Sequence, residues 1–116
     1  METTKSQGSG KIFLIPSKRV IKIINKKEVM YIRAEGNYSV FVMDDKTELI
    51  ICKTLEYVEK RFNQPSFFRC HKSFLVNLSK IIEISRRNPE LVLVDNARLP
   101  IARRKRKEFI KALYNI

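Results

Sequence analysis

The densest chemistry in the chain is cationic. Leu99-Pro100-Ile101-Ala102 leads into five consecutive basic residues, Arg103, Arg104, Lys105, Arg106 and Lys107. If a helix starts there, its first turn holds cations where the helix dipole favours anions. An external phosphate resolves that conflict, because a helix N-terminus offers unpaired N–H groups to an anion. A second polar stretch, with Arg69, His71, Lys72 and Ser73, lies between the apolar anchors of FFRCHKSFLVN, Phe67 to Asn77. A third, Asn37-Tyr38-Ser39, forms the tip of YIRAEGNYSVFV, Tyr31 to Val42. A run as dense as Arg104 to Lys107 is expected to follow phosphate charge rather than read bases. Arg69 and Ser73 are expected as further backbone contacts.

The overall charge points the same way. The 116 residues include 24 Lys and Arg against 12 Asp and Glu, a formal net charge of +12. Self-repulsion on that scale is usually maintained to meet a polyanion. The excess is uneven: up to Val58 there are ten basic and seven acidic residues, and beyond it fourteen and five. Contact is therefore expected mainly in the second half.

Catalysis finds little support. His71 is the only histidine, with no nucleophile motif around it and no second histidine to share a metal. Cys52 and Cys70 are too few for a disulfide scaffold or a four-ligand zinc site, and their apolar or aromatic neighbours predict two buried, reduced thiols. Adjacent strand residues point to opposite faces, which separates Cys70 from His71. Gly8, Gly10 and Gly36 cannot build a phosphate-cradling loop, and Asp44-Asp45 reads as a pair of solvated turn acids. No catalytic residue, metal, cofactor or small-molecule substrate is expected.

Positioning these segments falls to a mainly β scaffold, one domain over residues 11–116 behind a flexible polar leader at residues 1–10. Short apolar runs at Ile12 to Ile15, Val20 to Ile24, Val29 to Arg33, Tyr38 to Met43 and Glu48 to Cys52 predict strands. Glu35-Gly36-Asn37 and Asp44-Asp45-Lys46 join them as hairpins. Thr54 can cap a helix with Leu55, Val58 and Phe62 on one face, and Pro65 forbids its continuation. Strands resume at Ile81 to Ser85 and Leu91 to Val94, and a last one ends at Pro100. A tail helix spans Arg103 to Tyr114, with Phe109, Ile110 and Leu113 as a small apolar face. No internal repeat of solenoid length is visible.

Together, and in this order, the three polar segments resemble the LytTR family of bacterial DNA-binding domains, from about Lys11 to Ile116. The most specific part is the pattern F-x-R-x-H-[RK]-S-[FY]-x-V-N, matched by Phe67 to Asn77 with His71, Ser73 and Asn77 aligned. The N-Y hairpin and the P-x-x-R-R end support it. The resemblance implies a LytTR-like arrangement of small antiparallel sheets with one or two short helices. It also implies a transcriptional regulator of the two-component response-regulator type, usually placed behind a phosphoreceiver domain, and the reduced thiols fit a cytoplasmic location. In that family loops enter successive major grooves of double-stranded DNA at imperfect direct repeats, where a second copy can bind. The base-reading positions it implies are His71, Lys72 and Arg103, with Asn37, Tyr38 and Ser39 of the hairpin tip as backbone contacts, while Asn77 is expected to brace its loop. Ala102 stands where serine is common in the family. Lys72 stands where arginine is frequent, and lysine lacks the bidentate fork that reads guanine edges.

Two other classes compete. An RNA-binding or ribosome-associated basic β domain would need exposed aromatic residues for base stacking, and only Tyr38 is expected to be free. A peripheral membrane binder would need a broader apolar face than Phe109, Ile110 and Leu113 provide. No membrane contact is expected, and no apolar run approaches the ~20 residues of a membrane span.

Overall fold

The computed structural model describes residues 11–62 and 65–115; the leader expected at residues 1–10 lies outside them. The described chain runs through β1 (Ile12–Pro16), β2 (Ile21–Asn25), β3 (Val29–Glu35), β4 (Tyr38–Met43), β5 (Glu48–Ile51), α1 (Leu55–Phe62), β6 (Phe67–His71) and β7 (Phe74–Asn77). It continues through β8 (Ile81–Ile84), β9 (Glu90–Leu93), β10 (Arg98–Pro100) and α2 (Arg106–Tyr114). Single 3-10 turns at Lys26–Glu28, Leu78–Lys80 and Arg103–Lys105 precede β3, β8 and α2. The fold is mainly β, as the sequence predicts.

The strands form three antiparallel sheets: the ribbon β1-β2, a central sheet ordered β5-β4-β3-β7-β6, and a sheet ordered β10-β9-β8. Side chains alternate across a strand, so the central sheet presents two apolar faces to two cores. On one face Ile32, Phe41, Phe67 and Leu75 pack with Phe13 and Ile24 of the ribbon and with Leu55, Val58 and Phe62 of α1. On the other, Cys70 and Val76 pack with Leu91, Leu93 and Leu99 of the three-stranded sheet and with Phe109 of α2. The central sheet is thereby the middle layer of three.

One architectural feature has no counterpart in the sequence pattern. The course from Asn25 through β3, β4, β5 and α1 is repeated from Asn77 through β8, β9, β10 and α2. Each copy starts with an Asn side-chain oxygen accepting a backbone N–H two residues on, Lys27 at 3.0 Å and Ser79 at 3.1 Å. Each then bulges near the start of its first strand, between Val29 and Tyr31 and between Ile81 and Glu83. Each second hairpin has a left-handed residue, Lys46 at φ 72° and Asn96 at φ 71°. In each, the aspartate before that residue accepts a backbone N–H, Thr47 to Asp45 at 2.9 Å and Ala97 to Asp95 at 3.0 Å. No solenoid results, but the domain is two meander-and-helix units, the first extended by β6 and β7.

Three sequence expectations change. Phe67 to Asn77, a polar stretch between apolar anchors in the sequence, is a tight hairpin with a register shift between Arg69 and His71. The tail begins with a 3-10 turn, and α2 proper starts at Arg106. Cys52 is exposed while Cys70 is buried, because Cys52 follows the last residue of β5 and has left the sheet.

Candidate nucleic-acid interface

The strand directions bring the polar segments to one edge of the central sheet. β3 and β6 end there, and β4 and β7 begin there. Glu35 faces Tyr38 across the β3–β4 turn, and His71 faces Phe74 across the β6–β7 turn. The Ala34 N–H donates to the Ser73 carbonyl at 2.9 Å, which ties the two hairpins together. The Ala102 N–H donates to the Cys70 carbonyl at 2.8 Å, which fastens the cationic segment beside His71. Phe109 secures the same junction from within, packing on Phe68 with ring centroids 5.2 Å apart. The β8–β9 turn joins this edge through Ile101, whose N–H donates to the Pro89 carbonyl at 2.7 Å.

The β6–β7 turn is preset by two of its own side chains. The Ser73 N–H donates to His71 Nδ1 at 3.1 Å, so that nitrogen is unprotonated and only Nε2 remains for an outside partner. Arg69 reaches back over the turn: its Nη2 donates to the Lys72 carbonyl at 2.6 Å and its Nη1 to Glu59 at 2.7 Å. Its Nε also donates to the His71 carbonyl at 3.2 Å. Lys72 is left exposed at the apex, and the Ser73 hydroxyl has no partner among the described residues.

Other expected contacts separate in the same way. Asn37 and Tyr38 are exposed at the β3–β4 tip, where Gly36 adopts φ 60°. Ser39 is fully buried, and its hydroxyl donates to the Lys53 carbonyl at 2.7 Å. It faces the interior and ties β4 to the segment entering α1, away from the exposed tip where a phosphate contact is expected. Arg69 is likewise spent on the protein and becomes a brace. Of the basic run, Arg103, Arg104 and Lys107 are exposed. Arg106 is half-buried and donates to the Ser85 carbonyl at 3.2 Å, and Lys105 lies over the Phe68 ring.

Electrostatics at this edge leave the cations dominant. Glu35 is held by Arg33 Nε at 2.9 Å and Glu59 by Arg69, so both acids are offset internally. Arg33 also grips Glu48, whose carboxyl is held below the usual range by that guanidinium. Burial pushes the Cys70 thiol up to about 12, which keeps it an inert core group. Among the described residues there is no cluster of groups able to hold a metal. No helix among them is long and apolar enough to cross a membrane.

The family model described as the LytTr DNA-binding domain matches residues 19–114. The chain belongs to that family. The "Sensory transduction protein LytT" of Bacillus subtilis is 28% identical over 117 residues, covering 97% of this chain and 47% of that protein. Its Bacillus cereus namesake is 28% identical over 103 residues, covering 85% of this chain and 41% of its own length. This chain therefore spans less than half of the curated relatives it matches. Among solved structures, the LytTr DNA-binding domain of a Bacillus cereus protein described as a methyl-accepting/DNA response regulator superposes with a TM-score of 0.71. That likeness, at 22% identity, covers 89% of this chain and 96% of the other and bears on the fold.

Two cations of this LytTr domain went unnoticed in the sequence. Arg86 and Arg87 are exposed in the β8–β9 turn, beside the Arg103 segment. In the second unit the β8–β9 turn stands where the β3–β4 turn stands in the first. Only the internal repeat reveals that equivalence, since the two turns share no residue pattern.

Proposed function

We propose that this LytTr domain holds double-stranded DNA along the edge formed by the β3–β4, β6–β7 and β8–β9 turns and the start of α2. Lys72, His71 through Nε2, and Arg103 read bases in this account. Arg104, Lys107, Arg86, Arg87, Asn37, Tyr38 and the Ser73 hydroxyl hold phosphates. The observation that carries the reading is the Ala102 to Cys70 hydrogen bond at 2.8 Å, which seats two independent polar segments side by side. The uncapped start of the cationic segment agrees with it, because its first N–H groups have no side-chain acceptor. The molecule measures 47 × 30 × 24 Å, long enough to follow one turn of B-form duplex, about 34 Å.

The relatives named for sensory transduction support a larger setting for this reading. Residues 11–116 act as the DNA-binding part of a cytoplasmic, non-enzymatic transcriptional regulator in two-component signalling. A second copy binds at an imperfect direct repeat. Selection of bound duplexes from a random pool tests this, with recurring direct repeats as the expected result. If Arg86, Arg87, Arg104 and Lys107 each neutralise one phosphate, log K falls against log[salt] with a slope of about −4. A slope near zero contradicts DNA binding. Equal affinity for RNA duplex, whose narrow major groove closes to side chains, moves the assignment to an RNA-binding domain.

A further inference from the structure

The opposite end of the central sheet carries a second concentration of cations. A cavity of about 500 Å³ opens there, lined by Lys11, Lys26, Lys27, Ser66, Ser79 and Lys80 among others. Three hydrogen bonds from backbone N–H groups assemble it. The Lys26 N–H donates to the Lys11 carbonyl at 2.9 Å, the Lys27 N–H to the Asn25 side chain at 3.0 Å, and the Leu78 N–H to the Ser66 carbonyl at 2.8 Å. Asn77 forms part of the wall and is itself fixed, its amide donating to the Val29 carbonyl at 2.8 Å. The cavity is thus a product of the fold rather than of mobile surface lysines.

Its electrostatics are uncompensated. Lys80 pairs with Asp44 at 2.9 Å, but Lys11, Lys26 and Lys27 have no carboxylate partner among the described residues. Lys26 is only 4% exposed, and its single hydrogen-bond acceptor among those residues is the Phe62 carbonyl at 3.2 Å. An ammonium has three donors, so a buried one with a single acceptor and no counter-charge is an expensive arrangement. Burial alone pulls its pKa down, with no acid opposing the shift. The ammonium also lies over the Phe62 ring at 4.7 Å and so braces the end of α1, yet two of its three donors keep no acceptor among the described residues.

We infer that this lysine-lined cavity is a binding site for a small phosphorylated ligand, separate from the DNA-binding edge. Its volume lies within the roughly 300–1,000 Å³ of small-molecule sites. Lys26 supplies a desolvated charge, Lys11, Lys27 and Lys80 supply the surrounding field, and Ser66 and Ser79 supply hydroxyls. The seven residues of β3 separate it from the β3–β4 turn, about 20 Å at the usual rise per residue. A duplex on the proposed edge leaves it open.

Pyrophosphate is the probe. The 15N-labelled full chain is titrated with sodium pyrophosphate at fixed ionic strength, with sodium chloride as control. The expected result is saturable movement of the Ser66, Phe67, Ser79 and Lys80 amide signals. The double variant Lys11→Ala, Lys27→Ala, which changes two exposed side chains, weakens binding more than tenfold and leaves duplex DNA affinity unchanged. Asp44→Asn, which releases Lys80 from its carboxylate, tightens binding. Shifts that never saturate, that chloride reproduces, or that fall only on Lys72, Arg103 and Arg104 overturn the inference. A double variant that loses DNA affinity also overturns it, by assigning these lysines to the duplex.

Discussion

The unit from Asn25 to Phe62 and the unit from Asn77 to Tyr114 follow the same backbone course and end in opposite ways. In the first, the Thr54 hydroxyl accepts the Tyr57 N–H at 3.2 Å, and Glu56 stands in the first turn. That helix start is satisfied from within, by a cap and by an acid that suits the dipole. In the second, the 3-10 turn Arg103–Lys105 has no side-chain cap and carries three cations, and α2 has none either. Leu55, Val58 and Phe62 anchor the first helix, whereas Phe109 is the one buried residue of the second among those described. The same chain course can finish in a helix start that the protein caps or in one that it leaves uncapped. The proposed DNA edge uses the uncapped one.

The comparison is most easily broken at the anchors. Phe109→Ala removes the only buried residue that seats α2 and should cost about 3–5 kcal/mol in urea unfolding. DNA affinity should fall with it, because the cationic segment loses its support. An affinity unchanged in a variant that still folds would show that α2 does not position the segment. The two capping asparagines come next. Asn77→Ala removes a cap and orphans the buried Val29 carbonyl, a loss of about 2–4 kcal/mol. Asn25 is exposed and only caps, so Asn25→Ala should cost about 1 kcal/mol. Equal losses would make the equivalence of the two starts purely geometric. Smallest is Thr54→Ala, about 1 kcal/mol in stability with no change in DNA affinity, since that helix start already serves the fold.

Much of this architecture is legible in the sequence, because apolar alternation and turn residues mark β1 to β5 and β8 to β10. The β6–β7 hairpin is not, because its turn at Lys72-Ser73 contains no Gly, Asn, Asp or Pro, and a register shift interrupts the alternation at Arg69. The hairpin-tip position of Ser39 predicts contact, yet the parity of β4 turns its hydroxyl inward as Tyr38 turns out. Arg69 and Arg106 could not be told from phosphate-binding arginines by type. Their role is set by the Lys72 and Ser85 carbonyls, which only the fold places within reach. The resemblance located the three segments at the level of the family. The packing then divided each one into groups facing out and groups holding the turn.

The most direct test of the account separates reading from holding with two exposed cations of the same run. Arg103, fastened beside the His71 turn through Ala102, should lose about 1–3 kcal/mol on the specific site as Arg103→Ala, and much less on random duplex. Lys107→Ala should weaken both by a similar factor and lower the salt slope by about one. Measured by titration at several salt concentrations, a narrowed specificity ratio for Arg103→Ala alone is the predicted result. Equal losses on specific and random DNA for Arg103→Ala would contradict the account and reduce that residue to a phosphate contact.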